Sequence, residues 1–281
     1  MSEHTPASHN LTSGTPKLSV VVIAKNEADR IGKLLASVKD AYEVIVVDSG
    51  SSDGTPEVCE HFGARFVHMD WLGYAGQKQA AMDLASGDWI LNLDADEALS
   101  PELAMEIAQA MQTADQTIAG FSMPRLSRYL NRWIRHGGWY PDRKIRLVRK
   151  GYGKWVGDAL HERLEVSGST LELKNPILHY VYRDISDQVE TINRFSRIFA
   201  ANRTGHPSGL HVLGGIFHAI GKFLECAIWK RGLLDGCPGL IIAVNSSFYV
   251  FLKHAKAWEL NQPSQAGRQL MDSGKKHTDH E

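Results

Sequence analysis

The sequence has few cysteines, the residues that would form disulfide bonds or a cysteine-ligated metal site. Its 281 residues include only three cysteines, Cys59, Cys226 and Cys237. They are widely spaced and form no metal-ligand pattern, which suits a reducing cytoplasm.

An excess of charge and a targeting segment are also missing. The formal net charge is -1, so the chain as a whole has no preference for nucleic acid or for a membrane surface. The first 16 residues are polar and lack the apolar core of a signal peptide or membrane anchor. We expect a disordered tail over residues 1–16 and a polar tail over residues 261–281.

Alternating strand and helix patterns fill the first part of the chain. Apolar or β-branched runs predict strands at residues 18–24, 43–48, 64–68 and 89–94, and amphipathic segments between them predict helices. This order predicts an α/β fold with a mostly parallel sheet and helices on both faces. We expect one domain over residues 17–185, with a first half to residue 115.

Three carboxylates end the fourth predicted strand. Asp94, Asp96 and Glu97 follow the apolar run that starts at Trp89. In open α/β sheets the ligand crevice lies outside the carboxyl ends of the strands, so these side chains are well placed to hold a divalent cation against a phosphorylated substrate. A solvated turn before a helix that begins at Ser100 is the simpler alternative.

A second polar loop is expected at the same edge of the sheet. The strand that ends at Asp48 leads into a Gly- and Ser-rich turn through Asp53. Gly50 and Gly54 allow close approach of a ligand to the backbone, and the two aspartates can accept hydrogen bonds from a base or ribose. This pattern favours a nucleotide pocket, although a turn with a helix cap would have the same composition.

Four motifs together resemble the family-two inverting glycosyltransferases, which have the GT-A fold. They are residues 25–27 (KNE), 46–55 (VVDSGSSDGT), 76–81 (GQKQAA) and 93–97 (LDADE). Residues 155–162 (WVGDALHE) and 231–236 (RGLLDG) resemble the bacterial branch that adds a sugar to the lipopolysaccharide inner core. The resemblance implies a Mg²⁺- or Mn²⁺-dependent transfer of a hexose such as glucose, with inversion, from a uridine diphosphate sugar to a glycolipid.

The same resemblance implies roles for individual residues. Asp96 would be the main metal ligand, and Asp94 would lie near the ribose or the metal. The donor nucleotide would contact Ala24, Asn26, Glu27, Asp48, Ser49, Gly50, Asp53, Lys78, Asp94 and Ala95.

Two other kinds of protein contain similar short motifs. Asp94 and Asp96 nearly match a phosphatase signature of nucleophile and acid/base, but that signature has Thr or Val where Ala98 stands. Asp48 begins a pattern similar to the Asp-x-Ser-x-Ser site of non-catalytic metal-dependent binding domains, but Gly50 lacks the required hydroxyl.

A basic and aromatic tract is the candidate acceptor region. Residues 125–154 contain ten Lys or Arg and one acid, Asp142, with aromatic residues between them. Guanidinium groups bind phosphate and aromatic faces stack on sugars, so we expect Arg143, Arg146 and Trp139 to contact the acceptor or a phosphate. Single-stranded nucleic acid would use the same chemistry, and a solvated face is the simpler alternative. We expect no nucleic-acid partner.

Inverting transfer requires a base that takes the proton of the acceptor hydroxyl. Glu162 is the first candidate because the resembling branch has His-Glu there, and Asp158 is the second, ahead of Asp142. His161 would orient the carboxylate or bind phosphate. An ion pair of Glu162 with Arg163 is the structural alternative. His179 is expected to be a packed histidine.

The last third, residues 186–260, is predicted to be helical. Residues 210–229 look too polar and residues 239–252 too short to span a bilayer, so we expect both to lie in the interface. The enzyme would then be cytoplasmic and peripheral on the inner face of the cytoplasmic membrane. A buried helical pair is the alternative.

Overall fold

The computed structural model describes residues 14–157, 162–202 and 209–262. The chain forms two compact units. The first unit contains residues up to 123 together with 144–177, and the second contains residues 124–143 together with those from 178 onward.

Twelve strands lie in the described ranges. They are β1 Leu18–Ala24, β2 Glu43–Asp48, β3 Arg65–His68, β4 Trp89–Asp94, β5 Glu97–Leu99, β6 Ile118–Tyr129, β7 Arg132–Trp133, β8 Asp142–Arg149, β9 Gly153–Val156, β10 Arg163–Val166, β11 Ser169–Glu172 and β12 Ile177–His179.

Seven α-helices accompany them in the described residues. They are α1 Ile31–Ser37, α2 Thr55–His61, α3 Gly73–Asp83, α4 Pro101–Thr113, α5 Ile185–Ala201, α6 Gly209–Leu224 and α7 Gly236–Glu259. A π-helical turn, Glu225–Trp229, and a 3₁₀ turn, Gly232–Asp235, separate α6 from α7.

The main sheet has the strand order β3-β2-β1-β4-β8-β6-β12-β5. Strands β1, β2, β3 and β4 are parallel, and β8 pairs antiparallel with β4. The predicted α/β class and the four predicted strands are therefore confirmed.

Alternate residues of each parallel strand enter two different cores. Val20 and Val22 of β1 face α1, α2 and α4, whereas Val21 faces α3 and the β9–β10 hairpin. Both faces of the sheet are covered, which explains why its strands are continuously apolar rather than alternating. The helices and the hairpin cover the faces of the sheet, so the candidate active site lies at the carboxyl ends of β1, β2 and β4.

The second unit is organised by α5, α6 and α7. A core cluster joins Tyr129, Ile134 and Ile242, with Trp139 and Tyr182 packed against it. Helix α7 is fixed by polar contacts: Asn245 Nδ2 donates to Gln188 Oε1 (2.5 Å), and Ser247 Oγ donates to the Ala219 carbonyl (2.7 Å).

The division of the chain differs from the predicted domain boundaries. The units separate at residue 177, close to the expected boundary at 185, but residues 124–143 belong with the helices rather than with an acceptor half of the sheet domain. Long-range hydrogen bonds within the second unit explain this, since Arg135 N and His136 N both donate to Asp235. The tails predicted at both ends lie almost entirely outside the described residues.

Candidate active site

The acidic loop, residues 94–97, connects β4 to β5. The side chains of Asp94 and Asp96 are partly exposed, but Glu97 is only 1% exposed. Glu97 accepts a hydrogen bond from the N–H of Asp94 (3.0 Å) and so closes the turn. The three carboxylates therefore differ in their surroundings: Asp94 and Asp96 are partly exposed, and Glu97 supports the loop.

Arg146 on β8 neutralises negative charge of the acidic loop. It is buried and bonds to Asp94 and to Glu97 Oε1, the latter at 3.0 Å. Burial lowers the pKa of Arg146, but the two carboxylates raise it, and the net shift is upward. The guanidinium therefore stays charged and holds the loop, whereas the sequence predicts that Arg146 contacts the acceptor or a phosphate.

Lys78 on α3 links the acidic loop to the candidate base. Its Nζ lies 2.8 Å from Asp94 Oδ1 and 3.5 Å from Glu162 Oε1, and 4.7 Å from the centre of the Trp155 ring. The fold thus brings Lys78, Asp94 and Glu162 together, although 84 residues separate Lys78 from Glu162. Asp158 and His161 lie outside the described residues.

The loop after β2 is organised by Asp48. This buried carboxylate accepts hydrogen bonds from the N–H groups of Gly50 (2.9 Å) and Ser51 (2.8 Å) and from the Ser51 hydroxyl. Gly50 has φ +92°, a conformation that favours glycine. Asp48 therefore shapes the predicted nucleotide loop from inside.

A second loop, after β1, is joined to the first by hydrogen bonds. Asn26 N donates to Ser51 Oγ (2.8 Å), and Ser52 N donates to Asn26 Oδ1 (2.8 Å). Asp53 accepts from the Ala28 N–H (3.2 Å), and a hydrogen bond from Thr55 lowers the pKa of Asp53. The predicted donor residues on the two loops thus form one connected structure.

The remaining predicted donor residues lie on the same edge. Ser49 N donates to the Ala24 carbonyl (3.1 Å), which holds the ends of β1 and β2 together. Glu27 accepts from Arg30 Nε (2.8 Å), and Arg30 NH1 lies 3.6 Å from Asp96 Oδ2. Ala95 is buried within the acidic loop.

The predicted acceptor residues fall in different units. Arg143 is exposed and belongs to the second unit, whereas Arg146 belongs to the first. Trp139 packs against Tyr129 and Tyr182, with ring centres 5.9 and 6.2 Å away.

His179 is buried with its Nδ1 3.0 Å from Ser127 Oγ, so the expectation of a packed histidine is confirmed.

Sequence reasoning missed the supporting part of this site. The sequence pattern groups Glu97 with Asp94 and Asp96, and the basic tract around Arg146 predicts a contact with the acceptor or a phosphate. One signal was available: Arg146 lies in the strand RKIRLVR, where its neighbours at 145, 147 and 148 are apolar. A charged residue in such a run is usually paired when it is buried.

The donor set at the crevice fits a hard divalent cation. Carboxylate oxygens of Asp94 and Asp96 are the ligands that Mg²⁺ and Mn²⁺ prefer. Among the described residues, no group of three or more His, Cys, Asp or Glu side chains is placed to hold a metal. A cation here would therefore draw further ligands from the substrate and from water, as Mg²⁺ does with phosphates.

The motifs of this edge match those of a known protein family. The sequence model of Glycosyl transferase family 2 matches residues 19–164, which include every strand of the site. The chain belongs to glycosyltransferase family 2. It is a glycosyltransferase, and the predicted GT-A-like α/β fold class is confirmed.

Full-length relatives agree with this assignment. An uncharacterized glycosyltransferase of Rickettsia felis is 50% identical over 255 residues, covering 86% of this chain and 90% of that protein. A lipopolysaccharide core biosynthesis glycosyltransferase, LpsC of Rhizobium meliloti, is 27% identical over 253 residues, covering 86% and 92%. The predicted resemblance to a lipopolysaccharide core branch is confirmed.

Among solved structures, a mannosyltransferase from Pyrobaculum calidifontis in complex with GDP-Man and Mn²⁺ is similar. It is 16% identical with a TM-score of 0.47, and the match covers 88% of each chain. Family membership, and not this similarity, favours glycosyl transfer over the phosphatase and the non-catalytic binding domain.

Proposed function

We propose that this glycosyltransferase transfers a hexose, with inversion, from a uridine diphosphate sugar to a lipopolysaccharide core or a similar glycolipid. The observation that carries the proposal is the position of Lys78 Nζ, 2.8 Å from Asp94 and 3.5 Å from Glu162. The candidate base thus stands beside the acidic loop. The name of the relative LpsC supports the acceptor class.

The donor would bind at the two joined loops after β1 and β2. Asp53 and Glu27 are partly exposed or exposed carboxylates at this edge, and both can accept hydrogen bonds from ribose or base. Asp48 accepts three hydrogen bonds from its own loop, so we propose that it keeps the Gly50 backbone in a conformation that a nucleotide can approach.

Asp96 and Asp94 would hold Mg²⁺ or Mn²⁺ together with the donor. A bound cation stabilises the negative charge of the departing nucleoside diphosphate. Asp94 already contacts Lys78 and Arg146 closely, whereas the ion pair between Asp96 and Arg30 is longer, at 3.6 Å. We propose Asp96 as the primary ligand, as the resemblance of residues 93–97 to the family motif implies.

Glu162 would take the proton of the acceptor hydroxyl as that oxygen attacks the anomeric carbon. Its carboxylate is partly exposed, which permits access, and Lys78 fixes one of its oxygens towards the acidic loop. The proton moves to Glu162, and the bond to the nucleotide breaks on the opposite face of the sugar, which inverts the anomeric centre.

The substitution Glu162→Gln tests this role. It keeps the shape of the side chain but removes the base, so turnover should fall by roughly 10²- to 10⁴-fold while donor binding is retained. The measurements are transfer from radiolabelled UDP-hexoses to a lipopolysaccharide core acceptor and metal-dependent thermal stabilisation by each nucleotide sugar.

A matched control is available three residues away. Glu165 is exposed on β10 and pairs with Arg163 at 2.5 Å, so Glu165→Gln should retain full turnover. Undiminished transfer by Glu162→Gln would contradict the assignment, and stabilisation by no nucleotide sugar at all would contradict the proposed donor class.

The second unit would place the enzyme at a membrane surface. Two segments, His211–Trp229 and Gly232–Glu259, are long and apolar enough to cross a bilayer by length and composition, and 22% of the 18-residue apolar stretch within each is buried. The expectation that residues 239–252 are too short is therefore wrong as regards length, because α7 continues as one helix through the polar residues that seemed to end the apolar run. Residues 210–229, which were expected to be too polar, meet the requirement on length and composition as well.

We favour docking in the interface over spanning. Several polar groups of α7 are used in contacts with α5 and α6, among them Lys256 Nζ, which donates to Ser196 Oγ (2.8 Å). Large apolar side chains remain exposed on α6, including Leu213, Phe217 and Ile220. An exposed apolar face next to basic residues is typical of peripheral binding, here on the cytoplasmic face.

A further inference from the structure

The second unit contains an open pocket of about 310 Å³ that has no part in the carboxylate site. We call it the basic pocket. Its lining comes from the loop after β7 and from the residues between the π-helical and 3₁₀ turns: Arg135, His136, Gly138, Tyr140, Trp229, Lys230 and Arg231.

Buried Asp235 fixes the two sides of this pocket. Its Oδ2 accepts from the N–H groups of Arg135 (3.0 Å) and His136 (2.8 Å), and its Oδ1 lies 3.0 Å from His136 Nδ1. The N–H of Gly137 also donates to the Lys230 carbonyl (2.8 Å). The pocket is therefore built by a buried hydrogen-bonded network.

The positive charges of the pocket are only partly neutralised. Lys230 Nζ pairs with Glu225 at 2.6 Å, and Glu225 also pairs with Lys222 at 3.1 Å. In the described part of the chain, the exposed guanidinium groups of Arg135 and Arg231 form no ion pair with a carboxylate. Two arginines thus remain to meet an anion, and arginine binds phosphate oxygens bidentately.

Glycine at position 138 is needed for this geometry. A Cβ there would lie 2.8 Å from Cδ and 3.0 Å from Nζ of Lys230, so a side chain would require the end of the lysine to shift. Gly138 also has φ +86°, which favours glycine.

The position of the pocket in the chain identifies the source of the anion. Trp229 is the last residue of one membrane-compatible segment, and the other begins at Gly232. Trp229 is 86% exposed, and Leu233 and Leu234 are exposed beside it. A tryptophan with neighbouring basic residues is typical of the headgroup level of a membrane.

We propose that the basic pocket binds the phosphomonoester of a membrane-lipid headgroup. A dianionic phosphate matches the two arginines better than a singly charged diester, because Arg135 and Arg231 carry two positive charges that no carboxylate of the described residues pairs with. The proposal rests on the membrane docking proposed above. It goes beyond docking because it requires selective binding of one headgroup.

Calorimetry with soluble dihexanoyl phosphatidic acid, below its micelle concentration, tests the pocket without a bilayer. We expect Arg231→Gln to weaken binding to the full chain about tenfold, and Arg135→Gln/Arg231→Gln to weaken it further, because each guanidinium supplies charge-assisted hydrogen bonds. Dihexanoyl phosphatidylglycerol, a diester, should bind more weakly than the monoester.

Arg197→Gln is the matched control, since it removes one exposed arginine from α5 in the same unit. It should retain wild-type affinity. Wild-type affinity in the Arg135→Gln/Arg231→Gln variant, no binding by the wild type, or equal affinity for the diester would each overturn the proposal. Unchanged thermal unfolding of the variants establishes that they fold.

Vesicle co-sedimentation separates this proposal from docking itself. The wild type should bind phosphatidylcholine vesicles through its apolar face and bind better when phosphatidic acid is added. The double variant should lose only the added part. An undiminished response of that variant to phosphatidic acid would overturn the pocket, whereas calorimetric binding without any vesicle binding would contradict docking and support the pocket.

Discussion

At the scale of single residues, Asp96 and Glu97 are adjacent but have opposite surroundings. Asp96 is partly exposed at the crevice, and Arg30 lies 3.6 Å away. Glu97 is buried against Arg146. We therefore expect the two positions to separate activity from stability.

Asp96→Asn should abolish metal-dependent transfer while changing the free energy of unfolding by less than about 1 kcal/mol, because exposed or partly exposed ion pairs contribute little. The measurements are transfer activity over a Mn²⁺ titration and denaturant unfolding. Full activity in the variant at every metal concentration would contradict the assignment of Asp96 as a ligand.

Glu97→Gln should instead reduce the free energy of unfolding by about 3 kcal/mol, since removing one partner of a buried ion pair leaves the other charge poorly compensated. Urea unfolding measures this directly. Glu102→Gln, on the exposed first turn of α4, is the control and should change stability by less than about 1 kcal/mol. A similar small change at Glu97 would mean that Asp94 alone compensates Arg146.

At the scale of elements, the second unit depends on a close backbone approach between α7 and the turn before it. A Cβ at Gly239 would lie 1.9 Å from the Gly232 carbonyl oxygen, a distance that requires the helix or the turn to move. The cause is steric, so it is independent of the charges around the basic pocket.

Gly239→Ala should accordingly destabilise the protein by more than about 1 kcal/mol, in the range of overpacked sites. Gly214→Ala in α6 is the matched control because its Cβ meets nothing within 4 Å. That control should be neutral or stabilising by roughly 0.5–1 kcal/mol, the usual helix preference for alanine over glycine. Thermal unfolding of both variants distinguishes them, and equal melting temperatures would contradict the steric explanation.

At the scale of the whole molecule, the exposed apolar face of α6 should determine where the enzyme resides. Phe217 and Ile220 are 73% and 52% exposed, so replacing both with Gln removes apolar surface without disturbing a core. We expect Phe217→Gln/Ile220→Gln to shift the protein from the vesicle pellet to the supernatant, with thermal stability unchanged.

Met105→Gln provides the control for that experiment. Met105 is 68% exposed on α4 in the first unit, and its replacement should leave vesicle recovery as in the wild type. Equal recovery of the Phe217→Gln/Ile220→Gln variant and the wild type would mean that α6 does not contact the membrane.

The sequence by itself determined the α/β class, the four parallel strands and the loops that carry Asp48 and Asp94, because local periodicity and turn chemistry specify these elements. It also determined the family, since four motifs occur in the right order. The charge and polarity of each residue are visible in sequence, but their partners are not.

Only the tertiary structure decided which charged residues form the crevice and which support it. Arg146 and Glu97 are paired across 49 residues, and Asp235 reaches back 99 residues to His136, so no local pattern could assign them. The same holds for the helices: α7 continues past its polar residues because α5 and α6 satisfy them, which apolar run length cannot predict.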